Sequence, residues 1–158
     1  MIQRIQSLYM LLSVVACVVC LASPIAHFST QEVVPVGDLY NLWLSVPGDI
    51  AGEVQHQLTP WVALFALLAL VSTFTLLNIF LYQKRSLQMR VLVYSMIVLV
   101  GYYIVGGIFV WRLCSEYDFS VRPTVFGALP LVGLILDYLA FRGVHKDDSL
   151  VRSLDRLR

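Results

Sequence analysis

Asp137 is the one ionisable side chain inside the four long apolar runs of this 158-residue chain. A carboxyl group in a membrane run is expensive and marks a candidate site for moving a proton or holding a cation. Ser72, Thr75 and Asn78 add polar groups at helical spacing in another run, suited to hydrogen bonds between helices. Cys17-Val18-Val19-Cys20 has the spacing of a redox pair, and Cys114 is the third thiol. Thiol exchange needs an accessible, activated thiolate. Cys17 and Cys20 instead have no basic neighbour, and with Ser13 and Ala16 they form a small-residue stripe suited to close helix packing. His27 and His56 flank the segment between the first two runs. No zinc-type Cys/His cluster, Walker loop, HExxH, GxSxG, EF-hand or dinucleotide fingerprint occurs. The sequence therefore nominates no catalytic residue, cofactor or metal, and the expectation is a protein that is not an enzyme.

The elements that must position these residues follow from composition. Hydrophobic residues make up 59% of the chain and charged ones 13%, with a net charge of +1. Such a composition excludes a disordered chain, a nucleic-acid binder with a basic face and an ordinary soluble globule. Four runs reach or approach the roughly 20 residues that cross a hydrocarbon core as helix, at 5–26, 60–82, 91–110 and 124–141. They are continuously apolar rather than alternating, so helices are expected and barrel strands are not. The expected fold is a single all-α membrane domain over 1–158. It is a four-transmembrane-helix bundle with a small β-hairpin-like outer loop (27–59) and a tail (142–158) forming a short amphipathic helix. Pro130 predicts a kink inside the fourth span that frees a carbonyl near Phe126. A span ending at Phe141 puts Asp137 about one turn from the inner end, within reach of Arg4, Lys84, Arg85 or Arg142.

Charge fixes the expected orientation. Nine Lys and Arg residues fall with the termini and the 83–90 loop; only Arg112 and Arg122 fall on the opposite side. The positive-inside rule then puts both termini in the cytoplasm. The outer segments carry six acids, so the near-neutral total is a cancellation across the membrane. The first run is expected to stay as a helix: Pro24 makes a poor cleavage site, and the apolar run continues past Cys17, unlike a lipoprotein signal. In the outer loop, Val33 to Val36 and Leu39 to Val46 read as strands turning at Gly37-Asp38, with Ile50 to Leu58 a short helix or irregular return. Asn41-Leu42-Trp43 resembles the Leu-Trp pair of the claudins, four-span proteins with a β-rich first outer loop. The two loop cysteines of claudins are absent, so that likeness is architectural.

Leu150, Val151, Leu154 and Leu157 form one face of the tail, with Arg152, Asp155, Arg156 and Arg158 on the others. The start, Met1-Ile2-Gln3-Arg4-Ile5-Gln6, and the end, Lys146-Asp147-Asp148-Ser149-Leu150-Val151-Arg152-Ser153-Leu154-Asp155-Arg156-Leu157-Arg158, resemble domain-of-unknown-function family 4293. This is an uncharacterised family of four-span bacterial membrane proteins, mainly of Bacteroidota. The resemblance implies an inner-membrane location and supplies no catalytic residues. The expected function is a non-enzymatic scaffold or accessory subunit. Its surroundings are the lipid bilayer, and its partner is a protein of the membrane or the cytoplasmic face, held by Arg152, Asp155, Arg156 and Arg158. The alternatives are a small proton-coupled carrier using Asp137 and a thiol redox protein using Cys17, Cys20 and Cys114.

Overall fold

A computed structural model describes residues 2–29, 35–47, 54–57, 62–81, 85–117 and 120–155. Four helices carry the fold: α1 (Ile2–Ala22), α2 (Val62–Phe80), α3 (Arg85–Tyr117) and α4 (Leu129–Asp155). Each contains a segment long and apolar enough to cross a membrane. Five short strands form one antiparallel sheet at the end away from the termini: β1 (Ala26–Ser29), β2 (Pro35–Leu39), β3 (Leu44–Pro47), β4 (Val54–Gln57) and β5 (Ser120–Pro123). Their order is β4-β3-β2-β1-β5, so the segment before α4 completes a sheet begun before α2.

The bundle is assembled from buried stripes that repeat every three and four residues. They are Gln6, Met10, Ser13, Cys17 and Cys20 on α1, and Leu64, Leu68, Val71, Thr75 and Asn78 on α2. On α3 they are Gln88, Leu92, Ser95, Leu99 and Tyr102, and on α4 Gly133, Asp137, Ala140 and Val144. This is the spacing of helices packed at shallow angles. The outward faces carry Leu8, Leu12, Leu77, Phe80, Ile97, Ile104 and Ile135, all exposed. The polar residues Gln6, Ser13, Asn78, Gln88, Ser95 and Asp137 point in among apolar neighbours, and the outward faces are apolar, as lipid favours. The chain is a multi-pass membrane protein.

Ser23-Pro24 ends α1, because proline disfavours helix in the residue before it. A 3-10 turn at Val125–Ala128 leads into α4. Pro130 lies in the first turn of α4, where its missing N–H costs nothing, so the expected kink does not arise. The Phe126 carbonyl accepts from the Leu129 N–H instead of standing free. The tail is not a separate helix. α4 runs unbroken to Asp155, because Gly143 is a contact with Gln6 rather than a break: a Cβ there would lie 2.9 Å from Gln6 Cγ.

The outer sheet exceeds the expected hairpin. β2 passes straight through Gly37-Asp38, and the turn falls at Tyr40–Trp43, closed by Tyr40 N–H to Trp43 O at 2.9 Å. Residues 54–57 are strand rather than helix; Val33, Val34 and most of 48–61 lie outside the described residues. Register pairs His27 with both Asp38 and Arg122, and Ala26 with both Leu39 and Pro123. Alternation turns Ala26, Phe28, Leu39 and Val121 toward the bundle, where they join its core.

Candidate functional site

Two places concentrate chemistry: a polar layer at mid-bundle and a cavity under the sheet. In the first, Asp137 is fully buried between α1, α3 and α4. Ser95 Oγ lies 3.0 Å from Asp137 Oδ2 and 2.8 Å from the Leu92 carbonyl. A hydroxyl has one proton, so it serves only one of these acceptors; an acid proton on Asp137, donated to Ser95, lets both contacts form. Ser13 Oγ donates to the Gly133 carbonyl at 3.2 Å across α1 and α4. Asp137 Oδ1 and Thr75 Oγ1 are buried without a hydrogen-bond partner among the described residues.

Among the described side chains Asp137 has no ion-pair partner; those of Arg4, Lys84 and Arg85 lie outside them. The candidate span runs Val125–Ser149, with Asp137 midway, about 18 Å from either end at helical rise. Arg142 is exposed, and among the described residues no cation pairs with Asp137. Lys84 lies outside the described residues.

Towards the termini, Asn78 Nδ2 donates to the Gln88 carbonyl at 3.2 Å and approaches Met10 Sδ at 3.8 Å, tying α2, α3 and α1. Asn78 is therefore a packing contact, although its Oδ1 has no partner among the described residues. One layer further, Gln6 Nε2 donates to Asp147 Oδ2 at 2.8 Å, joining the two termini-bearing helices. Arg152 and Asp155 lie on the last turns of α4; Arg156 and Arg158 lie outside the described residues.

Towards the sheet, Asn41 is fully buried and links three elements. Its Nδ2 donates to the Cys20 carbonyl at 2.7 Å, near the end of α1, and its Oδ1 accepts from Tyr102 of α3 at 2.7 Å. Cys17 and Cys20 are buried and free, and Cys114 is a separate, partly exposed thiol. Both lie in packed surroundings: Cys20 sits in the Asn41–Tyr102 cluster, and a Cβ on Gly133 would lie 3.3 Å from Cys17 Sγ. On the outward sheet face His27 Nδ1 hydrogen-bonds Asp38 Oδ1. Among the described residues no three His, Cys, Asp or Glu side chains converge on a metal position.

The cavity lies where α3, the start of α4 and the sheet diverge. It measures ≈ 540 Å³, and its walls include Leu64, Gly106, Gly107, Val110, Val121 and Leu131. Small residues create it: Gly107 has nothing within 4 Å of where a Cβ would stand, and Gly106 meets only Leu64 at 3.6 Å. The polar groups at its wall are engaged. Tyr103 Oη donates to the Gly127 carbonyl at 2.9 Å and accepts from the Leu131 N–H at 2.8 Å, satisfying a donor that a helix start leaves over. Thr124 Oγ1 donates to the Pro24 carbonyl at 2.6 Å. What remains is an apolar recess. Its neighbours Ile104, Ile108 and Phe126 are exposed on the bundle's outer surface. In the sequence Gly106 and Gly107 suggest a close helix contact or local flexibility; the cavity they line is not legible there, because its other wall is a turn from a distant segment.

The family described as a domain of unknown function (DUF4293) matches residues 2–157, and the chain belongs to it. No curated protein matches the chain.

Proposed function

We propose that the protein is a non-enzymatic accessory protein of the bacterial inner membrane, with both termini cytoplasmic, that holds a lipid acyl chain in the cavity under its outer sheet. The observation that carries this reading is the cavity itself. At ≈ 540 Å³ it falls within the roughly 300–1,000 Å³ of small-ligand sites. Its α3 and α4 walls belong to membrane-crossing segments, so the apolar phase it meets is lipid. Orientation rests on the excess of Lys and Arg at the termini end. At the termini end α4 continues as helix to Asp155, and to this extension, which carries Arg152 and Asp155, we assign a protein partner.

Photolabelling tests the lipid reading. The protein is reconstituted in vesicles containing a phosphatidylcholine with a diazirine on its acyl chain. Label should concentrate at Gly106, Gly107 and Leu131 relative to lipid-facing Leu77 and Ile97. Gly107→Ile, which fills the recess, should remove that excess. Uniform labelling of all outward faces would refute it.

A second reading is favoured by one observation, the full burial of Asp137 with an oxygen that has no partner among the described residues. It makes the protein a small proton-coupled carrier, with Asp137 as the proton-bearing group. Asp137→Asn should then abolish a proton flux measured in vesicles, and an unchanged flux removes the reading.

A further inference from the structure

The sheet roofs the cavity, with Ala26, Leu39 and Val121 in its wall. On the side of the termini Tyr103 bounds it. Its hydroxyl reaches from α3 to the Gly127 carbonyl and the Leu131 N–H, and so ties α3 to the start of α4. Gly107 on α3, and Ala128 and Leu131 at the start of α4, are wall residues that are also exposed. All of them lie in the membrane-crossing segments Ser86–Arg112 and Val125–Ser149. The mouth therefore opens sideways between α3 and α4, into lipid. Pro123 on the edge strand β5, exposed as well, marks its rim at the sheet. Tyr102 is the wall residue of α3 nearest the termini, and from there to Arg112, where the crossing segment ends, the helix rises about 15 Å. A hydrocarbon core is about 30 Å thick, so this depth is one leaflet.

We infer that the site takes a lipid of the sheet-side leaflet, lying with the glycerol end of its chain at the sheet rim and the methyl end at Tyr102 and Tyr103. This rests on the acyl-chain reading above and adds the leaflet and the direction. Depth carries the argument. A chain anchored in the opposite leaflet ends near the midplane, and would fill the recess only by drawing its headgroup into hydrocarbon, where polar groups are costly. The wall points the same way. No wall residue is charged, and the hydroxyls of Tyr102, Tyr103 and Thr124 are bonded to Asn41, Gly127 and Pro24. Polar lipid atoms thus find no partner inside, and the headgroup stays at the rim. In the orientation proposed above, this leaflet is the outer one.

Two phosphatidylcholines test the direction by photolabelling in reconstituted vesicles. One carries its diazirine beside the glycerol end of the acyl chain, the other at the methyl end. Label is read as the excess over Ile104 and Ile108, which are exposed at matching depths on α3. The glycerol-end probe should give its excess at Val110 and Val121, and the methyl-end probe at Tyr102 and Tyr103. The excess therefore shifts from the sheet towards the Tyr103 bridge as the diazirine moves along the chain. The opposite shift, or one distribution from both probes, overturns the inference and leaves the acyl-chain reading standing. No excess from either probe overturns the acyl-chain reading, and this inference with it.

Discussion

Replacing Asn41 by leucine should loosen the sheet from the bundle by an amount that the hydrogen bonds set. Asn41 is fully buried, accepts from Tyr102 Oη at 2.7 Å and donates to the Cys20 carbonyl at 2.7 Å. Leucine fills a similar volume but makes neither bond. It leaves the Tyr102 phenol without its amide acceptor, at about 1–3 kcal/mol, and takes the shorter of two bonds from the Cys20 carbonyl, which keeps the Ser23 N–H at 3.4 Å. Tyr102→Phe removes one bond and strands only Asn41 Oδ1, at about 1–3 kcal/mol. The double variant strands neither the phenol nor the amide oxygen and should cost less than the two single costs together, a coupling of about 1–2 kcal/mol. Reversible unfolding in mixed micelles, followed by far-ultraviolet circular dichroism, measures all four proteins. Asn41→Leu within 0.5 kcal/mol of wild type, or strict additivity of the pair, would refute the claim that this cluster joins the sheet to the bundle.

Three further outcomes follow from the packing. Gly127→Ala should destabilise by about 1–3 kcal/mol, because its Cβ would meet the Ile25 carbonyl at 2.9 Å; Gly107→Ala, with open space, should stay within about 0.5 kcal/mol in the same unfolding assay. Asp137→Asn keeps a partner for Ser95 and should fold, whereas Asp137→Lys puts an unpaired cation at mid-span and should prevent membrane accumulation, read by fractionation and immunoblot. Cys17 and Cys20 are fully buried and should resist maleimide in the folded protein, while Cys114 reacts faster; equal rates for all three would contradict the packing.

The helices were legible because lipid leaves a long, uninterrupted apolar signature. The ends of α3 and α4 were not, because charged residues such as Arg85, Arg142 and Lys146 continue a helix as readily as they leave a membrane. The sheet was half legible: Val- and Leu-rich segments announced strands, but the turn fell at Asn41 rather than Gly37-Asp38, because burial of the Asn41 amide fixes the chain there. β1 and β5 are four residues each and pair across about ninety positions, beyond any local pattern. For the same reason the cavity was hidden, since its walls come from segments that meet only in the folded chain.

The lipid assignment is tested most directly by native mass spectrometry of protein released from detergent after extensive delipidation. One phospholipid should remain bound per chain and should vanish in Gly107→Ile, which folds but fills the cavity. A wild-type protein that emerges free of lipid, or a variant that retains the same bound mass, would contradict it.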